Sequence, residues 1–186
     1  MNVQVEPATA DRWAAITAIF GARPTACWCQ RFLRHDHADN RTALYAEVES
    51  AVIPVGLLAF VDGDPAGWTR VVPRVTLPGI MANSALQKLL EPDPLAWWVT
   101  CVTVRREARG AGVGVELLRA AATWAREHGA TVLDGHPVDV SLLKNAPSAS
   151  AVFTGTVSMF RAAGFEEIGR TYVSRPVMRQ SFVGSH

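Results

Sequence analysis

The stretch WWVTCVTVRREARGAGVGVELLRAAATWAREHG, residues 97–129, is the part of the chain that decides its fold. Its first eight residues are almost all aromatic or β-branched, which predicts a strand over 97–104. From residue 113 onward, apolar side chains recur on one face and polar ones fall largely on the other, which predicts an amphipathic helix. Between the two lies RGAGVG, residues 109–114. Glycines in such a turn leave backbone N–H groups uncovered, and the first helical turn carries partial positive charge, so the stretch predicts a site for phosphate oxygens.

Glycine spacing separates the nucleotide folds that use such a turn. A dinucleotide fingerprint needs a third glycine where this chain has Val115, and a Walker loop needs Gly-Lys followed by Ser or Thr, which does not follow this turn. The remaining pattern, Arg109-x-x-Gly112-x-Gly114 after a strand, resembles the acyl-CoA pyrophosphate loop of the GNAT superfamily of N-acetyltransferases. The alternative is an ordinary β-turn-α connection with glycines for tight packing. The agreement between strand, arginine, glycine spacing and helix favours the resemblance.

Length and composition narrow the class of protein. The chain has 186 residues, of which 49% are hydrophobic, and this suits one domain over residues 1–186 with a sizeable core. A net charge of +1 gives no electrostatic reason to expect nucleic acid or an anionic membrane as a partner. The first residues lack the basic and apolar regions of a signal peptide, and the apolar runs are shorter than a membrane span. Three cysteines, an odd number, do not suggest a disulfide framework, so we expect a soluble cytoplasmic protein.

The rest of the chain agrees with the fold that the resemblance implies. That fold is a single α/β domain with a mixed, mostly antiparallel sheet, splayed between the central strands at 97–104 and 130–136 and flanked by helices. Asn40 is predicted to cap a helix, and Asp62-Gly63 predicts a β-hairpin, although the following Asp64-Pro65 suggests a loop longer than two residues. The other predicted elements are a strand at 3–5, a helix over about 12–20, a helical turn near 84–89, a short helix ending at 163–164 and last strands within 165–179.

The resemblance also assigns roles around the glycine turn, with acetyl-CoA as the cosubstrate. Main-chain groups of the strand would pair with the pantetheine arm, and N–H groups of the turn would hold the pyrophosphate, with glycine where oxygens approach closely. Arg109 would fix the loop and add positive charge, and an N–H near Val102 would polarise the thioester carbonyl. The residues given these roles are Val102, Thr103 and Val104 on the strand, and Arg109, Gly110, Ala111, Gly112, Val113 and Gly114 in the turn.

The chain departs from the family at the positions of acid–base catalysis. Phe160 stands where the general-acid tyrosine is expected, Phe153 where asparagine is frequent, and Thr100 near the position of a catalytic glutamate. The remaining candidates are His136 and Asp134, which would share one face of a strand beside the thioester. His136 titrates in the useful range, and Asp134 would orient it. The alternatives are a histidine that only forms a turn, an aspartate that only caps a loop, and an acceptor that loses its proton through a water chain.

The segment Cys27-Trp28-Cys29, followed by His35 and His37, carries residue types that bind zinc. Its spacing argues against a structural zinc site, because one residue separates the members of each pair where two to four are usual. The simpler interpretation is buried cysteines with Trp28 and Phe32 as packing anchors. In the superfamily this side of the molecule also contacts the acceptor, so the candidates for substrate contact are Trp28, Trp68, Arg70 and Arg74.

Together these residues predict an N-acetyltransferase that moves an acetyl group from acetyl-CoA to a primary amine by direct attack in a ternary complex. The missing tyrosine and glutamate keep a non-catalytic acyl-CoA-binding regulatory module as the alternative, and a zinc-dependent interaction protein as a weaker one. The acceptor stays open among a small amine, an antibiotic, a polyamine and a protein N-terminus or lysine. A homodimer is compatible with the sequence.

Overall fold

A computed structural model describes residues 2–182, and a single seven-stranded sheet runs through that range. The strands are β1 (Val3–Pro7), β2 (Gly56–Val61), β3 (Asp64–Pro73), β4 (Trp97–Val104), β5 (Val132–Gly135), β6 (Glu166–Tyr172) and β7 (Arg175–Ser181). The α-helices are α1 (Trp13–Phe20), α2 (Asn40–Ser50), α3 (Pro78–Met81), α4 (Ser84–Gln87), α5 (Val113–Glu127) and α6 (Val157–Ala162). None of the helices within residues 2–182 has the length and apolar character needed to cross a membrane.

The sheet runs in the order β1-β2-β3-β4-β5-β7-β6. Strands β4 and β5 are parallel, whereas the other neighbouring strands are antiparallel. The parallel pairing joins Trp97–Val99 to Leu133–Gly135 only, and beyond it the two strands diverge. Parallel neighbours need a long crossover, which α5 supplies. The predicted mixed sheet with a splay between its central strands is therefore confirmed.

Helix α5 covers one face of the sheet with the apolar side that its sequence predicted. Leu117, Ala121 and Ala125 are fully buried in one cluster with inward side chains of β2 to β5. The opposite face packs on α1, α2 and the segment between them, around Trp28 and Trp68. Because both faces of β4 are covered, almost all of its side chains are buried, and its last residues reach the splay inside the molecule.

Two local predictions differ from the structure. Asp39, rather than Asn40, caps α2, because its carboxylate accepts a first-turn N–H at 2.7 Å while Asn40 is already helical. The hairpin turn contains only Asp62 and Gly63, both at positive φ, rather than a longer loop. Pro65 fits within β3 because a register shift lies beside it, where the ladder does not need its missing N–H.

The cysteine prediction also needs correction. A disulfide joins Cys29, in the segment between α1 and α2, to Cys101 in β4, and Cys27 is exposed and free. The two partners lie 72 residues apart, and no spacing pattern in a chain with three cysteines points to them. Packing of the segment onto the face of β4 brings the two sulfur atoms together.

Candidate active site

The loop between β4 and α5 has the geometry of an anion site. Gly110 and Gly112 have φ values of 81° and 77°, in the left-handed region that glycine adopts without steric cost. Gly112 is the N-cap of α5 and provides no side-chain cap for the first helical turn. Within residues 2–182, the N–H groups of Val113 and Gly114 have no acceptor, whereas the Val115 N–H donates to the Gly112 carbonyl at 3.0 Å, and all three lie at the positive end of the helix dipole. The loop therefore presents donors where an anion is stabilised.

The space around each glycine of the loop distinguishes open positions from a packed one. A Cβ on Gly110 or Gly112 would meet no atom within 4 Å, so both positions face open space. A Cβ on Gly114 would lie 3.0 Å from the sulfur of Met159 and 3.5 Å from Val102. Gly114 is buried, and its absent side chain lets α6 approach α5. This glycine of the motif has a packing reason that the sequence did not indicate.

A cleft of about 720 Å³ adjoins the loop. One wall is the β2–β3 hairpin, and the other is the segment from Arg105 to Ala111. Arg109 Nε donates to the Val104 carbonyl at 3.3 Å, and Arg105 Nη1 donates to the Pro65 carbonyl at 3.1 Å. The Arg105 contact thus joins the two walls of the cleft, whereas the Arg109 contact fixes the loop to the end of β4. Arg105 also pairs with Glu107 at 3.6 Å, so Arg109 is the guanidinium that adds positive charge next to the glycine loop.

The splay between β4 and β5 is filled by part of this chain, residues 152–156. The Val102 N–H, which was predicted to face the cosubstrate, donates to the Phe153 carbonyl at 2.8 Å. On the other side, the Val138 N–H just past β5 donates to the Gly155 carbonyl at 3.0 Å. The segment therefore lies between β4 and the chain after β5 as a short extra strand would.

Backbone N–H groups along β4 point alternately toward β3 and toward the splay, so the three strand residues predicted to bind the cosubstrate do not all face the same edge. The Arg105 N–H donates to the carbonyl of Ala66 in β3 at 2.8 Å, so the N–H two residues earlier, on Thr103, also points toward β3. The N–H groups of Val102 and Val104 point to the opposite edge, toward the splay. Two of the three main-chain positions thus face a ligand that would enter there.

His136 lies just past β5 and is tied to the β6–β7 hairpin. Its Nδ1 accepts from the Arg175 guanidinium at 3.4 Å, because a guanidinium can only donate. The ring proton therefore belongs on Nε2, which donates to Thr171 Oγ1 at 2.7 Å, and that hydroxyl donates to the Arg175 carbonyl at 3.2 Å. Burial, together with the charge of Arg175, lowers the pKa of His136 to about 4. The imidazole is neutral at neutral pH, and both of its nitrogens are engaged.

Asp134 in β5 is fully buried, and its partners are two arginines. Arg179 donates to it at 2.7 and 2.9 Å, and Arg74 donates at 3.4 Å. Burial raises the pKa of Asp134, although both arginines oppose the rise. Among the described residues, no hydrogen bond joins Asp134 to His136. The carboxylate links β5 to β7 and to the chain after β3, and the catalytic role of either residue stays a prediction.

Phe160 and Thr100 occupy the positions where the family's general acid and general base are expected, and neither side chain can act as one. Phe160 is fully buried, and its ring would collide with a Cβ on Gly135 or on Gly155. Thr100 is buried too, with its hydroxyl oxygen 3.4 Å from Cys29 Sγ. The core around Phe160 is therefore built for a phenyl ring, with glycine on the strand and on the segment that face it.

The Cys-Trp-Cys segment packs against the sheet. Trp28 is fully buried, stacks against Trp13 and Phe20, and donates its indole N–H to the Arg23 carbonyl at 2.7 Å. Its predicted role as a packing anchor is confirmed. Within residues 2–182, no group of three or more His, Cys, Asp or Glu side chains is placed to hold a metal ion.

The side chains offered as substrate contacts, Trp28, Trp68, Arg70 and Arg74, are all buried. Arg70 donates to Glu47 at 2.5 and 2.7 Å. Burial alone would raise the pKa of that carboxyl, but the two hydrogen bonds and the charge of Arg70 hold it below its usual value. Both arginines satisfy their charge inside the protein, which indicates a structural role.

Two arginines that the sequence analysis passed over lie beside the splay. Arg31 belongs to the segment between α1 and α2, and its guanidinium lies over the ring of Phe153, 5.0 Å from the centroid. Arg175 begins β7 and donates to Thr154 Oγ1 at 3.3 Å. Nothing local distinguishes them from ordinary surface arginines, because their proximity to the splay arises only when distant segments pack together.

Solved structures share this fold. The aminoglycoside acetyltransferase AAC(6')-Ib in complex with coenzyme A aligns with a TM-score of 0.57 and 17% identity, over 97% of this chain and 95% of that one. An N-acetyltransferase from Staphylococcus aureus Mu50 gives 0.57 and 15%, over 97% and 99%. The putative acetyltransferase yncA from Salmonella typhimurium, solved with acetyl-CoA, gives 0.56 and 17%, over 99% and 95%.

Because identities this low show the fold alone, family membership is decided by comparison of the sequence with family models. No curated protein matches the chain significantly. The model of the family described as "Acetyltransferase (GNAT) family" matches residues 13–143, well over half of the chain, and this range includes β4, the glycine loop and α5. The predicted resemblance is confirmed, and the chain belongs to the GNAT family of acetyltransferases.

Proposed function

We propose that this chain is an N-acetyltransferase that moves an acetyl group from acetyl-CoA to a primary amine in a ternary complex. The observation that carries the proposal is the loop at the start of α5, whose uncapped N–H groups and Arg109 lie beside the splay of β4 and β5. An anion site next to an opening in the sheet suits a ligand with phosphates at one end and a reactive carbonyl at the other.

The pyrophosphate of acetyl-CoA fits the loop for two reasons. The helix dipole and the first-turn N–H groups stabilise its negative charge, and the open space at Gly110 and Gly112 lets its oxygens approach the backbone. Arg109 adds positive charge beside the loop, while the rest of the adjoining cleft is also lined by Asp62, Asp64 and the Arg105–Glu107 pair. The pantetheine arm would lie along the edge of β4 that faces the splay, as an added strand does.

Binding in this way requires residues 152–156 to move, because the Phe153 carbonyl accepts the N–H of Val102. Once free, that N–H can donate to the thioester carbonyl, whose oxygen gains negative charge as the amine attacks. Removing one such donor typically raises the barrier by about 3–4 kcal/mol. The Val102 N–H is therefore the principal electrophilic group of the proposed site.

The reaction forms one bond, breaks one bond and removes one proton. The amine nitrogen attacks the acetyl carbon, and the carbon–sulfur bond breaks to release the CoA thiolate, which needs no acid because a thiol has a pKa of about 8.5. His136 is the candidate base, but with a pKa of about 4 it holds an abstracted proton poorly. His136 and Asp134 therefore have positioning roles in the proposed reaction, and the ammonium proton of the acceptor leaves through water.

Calorimetric titration with acetyl-CoA tests the cosubstrate site. Gly112→Asp places a carboxylate among the proposed phosphate donors and should weaken binding about a hundredfold or more, because like charges in contact cost several kcal/mol. Gly129→Asp is the matched control, since Gly129 also has a positive φ, 84°, and open space around it, but follows the C-terminal end of α5.

We expect the native chain and the control to bind acetyl-CoA and to release CoA when a suitable amine is added. If the native chain binds no acetyl-CoA, or if the two folded variants bind equally well, the proposed cosubstrate site is wrong.

A non-catalytic acyl-CoA-binding module is the second candidate. Phe160 and Thr100 favour it, because both are buried and neither supplies an acid or a base. Tight binding of acetyl-CoA with no release of CoA across small amines, polyamines, aminoglycosides and lysine peptides would select this function over acetyl transfer.

A further inference from the structure

Arg175 is partly buried, and within residues 2–182 no carboxylate lies within ion-pair distance of it. Its two terminal nitrogens donate to neutral groups at long distances, 3.3 Å to Thr154 Oγ1 and 3.4 Å to His136 Nδ1. Burial, reinforced by the nearby charge of Arg31, lowers the pKa of Arg175. A guanidinium withdrawn from water without a counter-ion is destabilising, so this position costs the fold free energy.

The other buried arginines behave differently. Arg70 is paired with Glu47, and both Arg74 and Arg179 are paired with Asp134. Each of these three arginines therefore lies within ion-pair distance of a carboxylate of the same chain. Because Arg175 has no such carboxylate within residues 2–182, we expect its guanidinium to bind an anionic group from outside the described chain.

Arg31 adds a second positive charge at the same place. It is exposed, its guanidinium lies over the ring of Phe153, and no ion pair within the described range includes it. Arg175 contacts Thr154, the next residue along. The two guanidiniums, from the α1–α2 segment and from the β6–β7 hairpin, therefore flank the same short stretch of chain.

That stretch is the one that covers the proposed reaction centre. The Phe153 carbonyl occupies the Val102 N–H, and Phe153 and Thr154 are also the neutral partners of the two arginines. When the cosubstrate displaces residues 152–156, both guanidiniums lose these partners together. Arg175 then keeps only its long contact with His136 Nδ1, and within residues 2–182 neither guanidinium has a carboxylate partner beside the thioester carbonyl, where the acceptor must arrive.

We infer that the acceptor is a small amine that also carries an anionic group, a carboxylate or a phosphate, and that Arg31 and Arg175 bind this group. The inference rests on the proposed acetyl transfer and adds the chemical class of the acceptor. A guanidinium matches a carboxylate or a phosphate with two parallel hydrogen bonds, which fixes the orientation of the molecule as well as its charge. The same two charges repel polycations, so polyamines and aminoglycosides are poor acceptors.

Matched pairs of acceptors test the inference by the rate of CoA release. β-Alanine is compared with β-alaninamide, and phosphoethanolamine with ethanolamine, so that each pair differs in the anionic group alone. The amide has the more easily deprotonated amine, so a preference for the acid cannot come from amine basicity. The two pairs separate a carboxylate site from a phosphate site, and spermidine and kanamycin represent polycations.

The native chain should prefer the acidic member of at least one pair. Arg175→Gln should reduce kcat/KM for that acceptor about tenfold to a hundredfold, as expected for losing a hydrogen bond between charged groups. The neutral member should change little. Arg31→Gln, a surface change that is safe for folding, should act in the same direction. Arg126→Gln, an exposed arginine on α5, is the matched control and should leave the preference unchanged.

The remaining outcomes overturn the inference and keep it distinct from the function proposed above. Acetylation of neutral or cationic amines at equal or higher rates would refute the anionic acceptor while leaving acetyl transfer in place. Calorimetric binding of acetyl-CoA without acetylation of either acidic acceptor would also refute it. A native chain that binds no acetyl-CoA would refute both proposals.

Discussion

The glycine loop and the splay beside it belong to one proposed site, yet they are built in different ways. The loop consists of consecutive residues, 109–114, and its open donors follow from glycine at positive φ and from the start of a helix. The splay is lined by residues from distant segments, among them Arg31, Val102, Phe153 and Arg175. The loop is open to solvent, whereas the splay is closed by the protein itself. The cofactor end of such a site can thus be predicted from a short stretch of sequence. The acceptor end cannot, because its residues come from distant segments.

The largest expected effect is the loss of stability when the Cys29–Cys101 disulfide is removed, because this bond joins two segments that are far apart in sequence. Cys29→Ala combined with Cys101→Ala removes the link between the α1–α2 segment and β4. For a closed loop of 72 residues, chain entropy predicts a loss of about 4 kcal/mol in the free energy of unfolding. Urea unfolding followed by tryptophan fluorescence, without reductant, measures it.

Cys27→Ala is the control for that experiment, because Cys27 is exposed and free, and its effect should stay within about 0.5 kcal/mol. Disulfides are rare in cytosolic proteins, so the thiol count is informative as well. One reactive thiol is expected in the denatured, unreduced chain, and three would contradict the Cys29–Cys101 pairing.

The pH dependence of stability tests the surroundings of His136. Its pKa is about 4 in the folded protein and 6.5 ordinarily, so between these values the unfolded chain binds a proton that the folded chain does not. The contribution of His136 to the free energy of unfolding is therefore fully present above pH 6.5 and falls as the pH is lowered toward 4, by up to about 3 kcal/mol. His136→Gln should flatten this fall, as measured by urea unfolding across the range.

His37→Gln, at an exposed histidine, should keep the slope of the native protein. An identical slope in His136→Gln would show that the imidazole is not held in its neutral form by the fold, and would restore it as a candidate general base.

The smallest expected effect concerns the closure of the splay. Phe153→Ala removes the stacking on Phe32, with 6.2 Å between centroids, and the contact with Arg31. If residues 152–156 must move for acetyl-CoA to enter, weakening their closed position should raise its affinity about threefold to tenfold by calorimetry.

Phe60→Ala is a matched control, because Phe60 is also partly buried and lies under an arginine, Arg12, but belongs to β2. Unchanged or weaker binding by Phe153→Ala would mean that the segment does not compete with the cosubstrate.

Local prediction succeeded where neighbouring residues decide the conformation. Strand β4 and helix α5 have the predicted bounds or nearly so, because strand propensity and helical period act over a few residues. The errors were small where two local signals compete, as at the cap of α2, where Asp39 outranks Asn40. Gly112 has a positive φ and open space around it, and its role in binding phosphate stays a prediction, whereas Gly114 has a packing reason in its contact with Met159.

The sequence by itself determined the family and the glycine loop between β4 and α5, because both depend on residues close together in the chain, and the family in turn implied the sheet with its splay. Only the tertiary structure decided that Cys29 meets Cys101, that Asp134 binds two arginines instead of His136, and that Phe153 covers Val102. The convergence of Arg31 and Arg175 belongs to the same group. These contacts join residues that are far apart in sequence, and they form because burying the whole sheet under its helices and loops is favourable, a property that no local pattern contains.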